Sequence, residues 1–179
     1  MYFFTEYQSP LGMLTIASDG DNIVGLWMEG QKYFGGTLSG DMEKKDGLFV
    51  FKTVEDWLDR YFAGEKPSIS ELPLCPKGGE FRQGVWEILR EIPYGKVMSY
   101  GEIAGKMAAK MGRARMSAQA VGGAVGHNPI SIIIPCHRVV GSNGSLTGYA
   151  GGIAAKIKLL EHEGADMSQL FVPKKGTAL

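Results

Sequence analysis

Residues 99–129 read SYGEIAGKMAAKMGRARMSAQAVGGAVGHNP, and this stretch decides how the second half of the chain folds. Ser99-Tyr-Gly-Glu102 has the S-x-x-E spacing of a capping box, which predicts a helix starting there and running to about Ala109. A basic turn follows, from Lys110 to Met116. Ser117 is placed to cap a third helix over 118–126, and Asn128-Pro129 ends it. Short helices joined by a basic turn fit a helix-turn-helix. The helix over 118–126 carries one long polar side chain, Gln119, among Ala, Val and Gly. Adjacent glycines such as Gly122 and Gly123 each cost a helix about 1 kcal/mol relative to alanine. Either another helix packs closely there, or a bulky ligand surface approaches the backbone. A helix so poor in polar side chains favours binding by shape, as in a minor groove.

Upstream, Phe81, Val85, Ile88, Leu89 and Ile92 share one helical face, and Pro93 stops that helix. The N-terminal region reads differently. Strands are expected over 2–7, 13–18 and 23–28, with turns at Ser9-Pro-Leu-Gly12 and Asp19-Gly-Asp-Asn22. Residues 30–47 are Gly-rich and charged and read as loop. A helix is expected over 51–62, with Val54, Leu58 and Phe62 in register. Leu72-Pro-Leu-Cys-Pro76 suits a short edge strand or linker, because proline cannot donate to a ladder. The domain boundary therefore falls near 70–79, giving an N-terminal domain over 1–75 and a C-terminal domain over 76–179. The fold class is α+β.

Downstream, Ile132-Ile-Ile134 reads as an apolar strand that ends in Pro135 and delivers Cys136, His137 and Arg138 in succession. A thiolate is the reactive form of cysteine, and a neighbouring base and cation favour it. A merely buried cysteine would need neither. The other cysteine, Cys75, has no polar partner nearby in sequence and reads as structural. Residues 141–152 hold five glycines around Tyr149, a loop able to fold over a ligand, with the tyrosine as lid or as hinge packing. A last helix is expected over 153–163 with Ile153, Ile157 and Leu160 inward and Gly164 as C-cap. Glu163 sits in its final turn, against the helix dipole. It is either exposed or partnered by His137.

Composition narrows the class. Two cysteines exclude a disulfide framework and a Cys-rich zinc site. There is no apolar run of membrane-spanning length, and the first residues lack a signal-peptide pattern, so a reduced, cytosolic protein is expected. Net charge is zero but unevenly spread. Residues 1–75 hold six basic and 12 acidic residues, whereas 96–138 hold six basic against Glu102 alone. The basic segment is either a solvated surface or a docking strip for phosphates.

Taken together, Ile134-Pro-Cys-His-Arg-Val139, the preceding Asn128-Pro129, Gly148-Tyr-Ala-Gly-Gly152, Leu159-Leu-Glu-His-Glu-Gly164 and Ile92-Pro-Tyr-Gly-Lys-Val-Met-Ser-Tyr100 resemble the methylated-DNA–protein-cysteine methyltransferases, the O6-alkylguanine-DNA alkyltransferases. The resemblance covers about residues 78–165. It implies a ribonuclease-H-like N-terminal sheet domain and a C-terminal helical domain with a winged-helix-like helix-turn-helix. It also implies direct reversal of DNA damage. A flipped O6-alkylguanine in double-stranded DNA gives its alkyl group to Cys136, once per molecule, by a monomer that needs no cofactor, metal or membrane.

In this reading Glu163 orients His137, which takes the Cys136 proton through a water. Tyr100 donates to the base and Asn128 braces the turn. Pro135, Tyr149, Ala150 and Gly151 surround the flipped base. Ala118, Gln119, Gly122, Gly123, Arg115, Ser117, Arg138 and Lys96 meet the DNA. Gln119 stands where many members carry an arginine that enters the base stack, and Ala150 where some have serine. A non-enzymatic relative that binds alkylated DNA would lack Cys136. A cysteine hydrolase would draw its base from elsewhere in the fold.

Overall fold

In the computed structural model residues 1–174 are described, and they form two compact units. The first comprises residues 1–77 together with Pro129–Ile133, the second residues 78–128 together with the chain from Ile134 onward. The leading segment of the first unit ends at Lys77. The inclusion of 129–133 in the first unit was not foreseen: it makes each unit discontinuous in sequence.

The first unit is built on strands β1 (Tyr2–Ser9), β2 (Gly12–Ser18), β3 (Ile23–Met28) and β4 (Met42–Lys44), in the order β3-β2-β1-β4. β1, β2 and β3 form an antiparallel meander, and β4 pairs parallel with β1. Residues 30–47 thus contain a strand where a loop was expected. β4 is three residues long, with two of them charged and exposed, and so shows no alternation. Helix α1 (Phe49–Phe62) buries Val50, Phe51, Val54, Trp57, Leu58 and Tyr61. Leu74 adds a parallel bridge to Ile23, as the proline-flanked segment requires. On the same strand, Leu26 bridges Ile130: its N–H donates to the Pro129 carbonyl at 2.8 Å, and the Ser131 N–H donates to the Leu26 carbonyl at 3.0 Å.

The expected strand over 132–134 is absent. Only Ile130 pairs, and the chain then turns, with Ile132 at φ 71°. A β-branched residue in that region costs about 1–3 kcal/mol. Three isoleucines in a row carry a strand signal, yet the chain must leave the sheet within that run.

The second unit contains α2 (Glu80–Arg90), α3 (Tyr100–Lys110), α4 (Ala118–Gly126) and α5 (Ile153–His162). A small parallel pair joins β5 (Met98–Ser99) to β6 (Val139–Val140). Both halves of the capping box form: Ser99 Oγ accepts from Glu102 N–H at 3.0 Å, and Ser99 N–H donates to Glu102 Oε2 at 2.8 Å. Ser117 Oγ accepts from Ala120 N–H at the start of α4. Helices α2, α3 and α4 bury Val85, Ile88, Leu89, Ile103, Met107, Val121 and Val125 in a winged-helix-like arrangement. Trp86 locks α4 to α2: its ring is buried and its Nε1–H donates to the Ala124 carbonyl at 2.9 Å. A Cβ on Gly78 would lie 2.4 Å from that indole, so only glycine fits beside it. On α5 the buried face is Lys156, Leu159 and Leu160, with Ile153 and Ile157 only half-buried. Among the described residues no helix is long and apolar enough to cross a membrane.

Trp86→Phe removes both an indole donor and part of the packing beneath α4. It is expected to lower unfolding free energy by about 1–3 kcal/mol. Urea denaturation should show a lower midpoint at an unchanged slope; an unchanged midpoint would mean that α4 is held by other contacts.

Candidate active site

Cys136, His137 and Arg138 form a single 3-10 turn between Pro135 and β6, and all three are buried. A side chain from far away in sequence meets this turn. His137 Nε2 lies 2.8 Å from Glu163 Oε2, both side chains being fully buried. Glu163 is the C-cap of α5. A carboxylate accepts, so Nε2 carries the proton and Nδ1 is left as the basic nitrogen. That Nδ1 is buried without a hydrogen-bond partner among the described residues. This is the base-and-orienter geometry that activates a nucleophile.

Arg138 does not serve the role expected for it. Its Nε and Nη2 donate to the two oxygens of Glu163 at 2.8 and 3.0 Å, and Nη1 donates to the Ile92 carbonyl at 2.7 Å. Its side chain is almost fully buried, so it is not part of a DNA-facing strip. Each of its three nitrogens donates to a group inside the protein. Lys110 is also engaged, with Glu87 at 2.6 Å. Lys96, Lys106, Arg113 and Arg115 remain exposed.

The cation whose charge acts on the thiol is Lys156, about two helical turns before Glu163 and fully buried. Its Nζ donates to the Val139 carbonyl, and to the Thr147 carbonyl at 2.9 Å. Nothing in the sequence reading identified it. The signal was a lysine in the stripe Lys156-Leu159-Leu160-Glu163, where an apolar residue belongs. Burial pushes the Lys156 ammonium down to about 8. Burial pushes the Cys136 thiol up, while the Asn128 side-chain hydrogen bond and the Lys156 charge act against that rise. Burial likewise lowers His137, overriding the pull of Glu163. For Glu163 itself burial acts upward, but the His137 and Arg138 hydrogen bonds prevail and hold it well below the ordinary carboxylate range.

Asn128 Nδ2 donates to the Ile134 carbonyl at 2.8 Å and so fixes the approach to Cys136. Tyr100, the first residue of α3, donates through Oη to the same Thr147 carbonyl that accepts from Lys156, at 3.2 Å. Burial raises its phenol to about 12, so it stays protonated and remains a donor. Gly148 sits at φ 73°, and a Cβ there would meet Tyr100 Oη at 2.7 Å. The glycine loop therefore lies against the tyrosine. Tyr149 is buried, and Ala150 and Gly151 are half-buried. Pro135 is buried as well.

Helix α4 exposes Ala118, Gln119, Ala120 and Gly123. No atom would lie within 4 Å of a Cβ on Gly123, and one on Gly122 would make only ordinary contact with the Tyr100 ring at 3.9 Å. Close helix packing is therefore not what these glycines provide.

Residues 2–76 match the family model described as 6-O-methylguanine DNA methyltransferase, ribonuclease-like domain, and residues 80–165 match its DNA binding domain. A methylated-DNA–protein-cysteine methyltransferase of Haemophilus influenzae is 44% identical over 161 residues, covering 90% of this chain and 86% of the relative. One from Methanosarcina acetivorans is 40% identical over 164 residues, covering 91% and 99%. The crystal structure of Mycobacterium tuberculosis OGT in complex with DNA superposes with a TM-score of 0.78 at 42% identity, covering 90% of this chain and 91% of that one.

The depressed Lys156 sets a pH dependence of stability. Its folded value, about 8, lies below the unfolded value of about 10.4, so between these the unfolded chain binds more protons. The burden of a buried ammonium is present below about pH 8 and is relieved as pH rises toward 10. Wild-type stability should therefore rise over that window by up to about 3 kcal/mol relative to Lys156→Met. Parallel curves from denaturation at pH 7, 8, 9 and 10 (about one unit apart) would show that the folded ammonium keeps its ordinary pKa and is well solvated.

Proposed function

The chain belongs to the 6-O-methylguanine DNA methyltransferases, and from that premise we propose that Cys136 is the acceptor sulfur of a single-turnover repair reaction. The observation that carries the assignment is the buried Cys136-His137 turn closed by Glu163. The protein reverses damage directly: an alkyl group on guanine O6 in double-stranded DNA passes to a protein thiol. The presence of Cys136 removes the reading as a non-enzymatic binder of alkylated DNA.

The chemistry follows from the residues. A free thiol is only a few per cent ionised near neutral pH, and burial makes Cys136 weaker still as an acid. His137 Nδ1 takes its proton, through a water, and Glu163 steadies the imidazolium that results. The Lys156 charge supports the thiolate. Sγ attacks the alkyl carbon, an S–C bond forms as the C–O6 bond breaks, and the electron pair leaves with guanine. Tyr100 turns its one O–H from the Thr147 carbonyl to the departing base, quenching its charge. The thioether on Cys136 has no route back, so each molecule acts once. No cofactor takes part.

The target base must leave the duplex stack to reach a buried thiol. Tyr149, Ala150, Gly151 and Pro135 enclose it. Helix α4 approaches the duplex through its side-chain-poor face, Ala118, Gln119, Gly122 and Gly123, with Ser117, Arg115 and Lys96 beside phosphates. Gln119 occupies the hole left by the flipped guanine. The protein works as a monomer inside the cell, where its thiol stays reduced.

Intact mass after incubation with O6-methylguanine duplex should rise by one methyl group and go no further. Cys136→Ser should bind the same duplex and gain nothing, since a hydroxyl is a far weaker nucleophile; a methylated Cys136→Ser protein would overturn the assignment.

Gln119→Ala is expected to slow single-turnover transfer from duplex DNA about tenfold or more, while transfer from the free modified base stays within about twofold. Flipping costs a few kcal/mol, which only the duplex substrate demands. An equal fall on both substrates would place Gln119 in the fold or the pocket instead.

A further inference from the structure

The Glu163 carboxylate serves more than the imidazole. Four protein donors converge on it: His137 Nε2, two nitrogens of Arg138, and the Gly95 N–H at 3.3 Å. Arg138 contributes the strongest pair, a fork matched to both oxygens, and its third arm holds the Ile92 carbonyl just beyond α2. The Tyr94 ring lies beneath the guanidinium, 5.7 Å from its carbon. Nothing about a proton relay of cysteine, histidine and glutamate requires an arginine at this place.

We propose that Arg138 is a positioning residue of the transfer reaction: it fixes Glu163 as a permanent buried anion and, through it, keeps His137 neutral until Cys136 gives up its proton. This rests on the roles given to Cys136 and His137 above. A buried carboxylate facing only an imidazole is a lone negative charge. It relaxes when that imidazole takes up a proton from solvent, leaving a neutral ion pair. His137 would then rest as imidazolium and could take no proton from the thiol. With Arg138 in place, carboxylate and guanidinium already cancel. A proton on His137 would leave a net positive charge in a site that also holds Lys156.

The groups facing the pair are few. Glu163 and Lys156 come from α5, Arg138 and Cys136 from the turn itself, and Tyr94 and the Gly95 N–H from the loop after α2. Of these, only Glu163 draws His137 toward protonation, and Arg138 occupies both of its oxygens. When the thiol does ionise, its proton on His137 is balanced by the new thiolate, and the total charge of the site is unchanged. The arginine therefore disfavours the imidazolium at rest without disfavouring the one formed during transfer.

Transfer needs neutral His137, so its rate falls as pH drops through the imidazole pKa. Removing the guanidinium raises that pKa. Arg138→Gln should shift the acid limb of the single-turnover pH–rate profile upward by about one unit or more, a loss that approaches about tenfold only at pH well below the wild-type imidazole pKa. The rate should approach wild type at about pH 9. Arg138→Lys, which keeps the charge and loses the fork, should return the limb toward its wild-type position. Imidazole nitrogen NMR on the intact wild-type protein should find His137 neutral, protonated at Nε2, at pH values where a free imidazole has already taken up its second proton.

A fall in rate that is equal at every pH, or a limb that lysine does not restore, would overturn the proposal. So would a wild-type His137 that titrates at or above its ordinary value. If Arg138→Gln does not fold, the lysine variant and the wild-type NMR titration decide. If wild type puts no methyl on Cys136, the functional reading fails on its own, whatever His137 does.

Discussion

One buried carboxylate organises this protein's chemistry. Glu163 has both oxygens filled by donors from a single turn, so the positions of His137 and Arg138 are set by the same anion. A charge that far from water is tolerable only when fully paired. The pairing dictates the rest. α5 must end at Glu163, the turn must present consecutive residues to it, and the loop after α2 must bring in the Gly95 N–H. The nucleophile inherits its setting from this arrangement: Cys136 precedes His137 in the turn and has little freedom of its own.

A second node sits on the other side of the thiol. The Thr147 carbonyl accepts from both Lys156 and Tyr100. The Lys156 ammonium and the Tyr100 hydroxyl are thus tied to one peptide group at the start of the glycine loop. α5 supplies Lys156 and Glu163 from the same face, so one helix places both the cation beside the sulfur and the anion behind the imidazole.

Much of this was legible in the residues. The capping box at Ser99, the cap at Ser117 and the stop at Asn128-Pro129 are local effects, and α3 and α4 begin where those residues require. The Cys-His pair and its distant glutamate were legible because the types are rare and the dipole argument marked Glu163 as out of place. What was not legible depended on long-range closure. β4 has no pattern of its own and exists because β1 offers an edge. The isoleucine run resembles a strand, but the chain has to turn out of the sheet at Ile132. Arg138 looked like a surface cation because adjacency in sequence says nothing about which way a guanidinium turns. Lys156 was hidden by the habit of counting lysine as exposed.

Helix α4 carries a different kind of information. Its outward face is glycine and alanine where the protein itself leaves open room for larger side chains. A chain shaped only by the demands of folding would fill such positions, since each glycine weakens a helix and nothing inside the molecule asks for it. The shortfall is thus a record of something outside the molecule. The missing side chains leave that face open and nearly smooth, and Gln119 is its one long polar side chain.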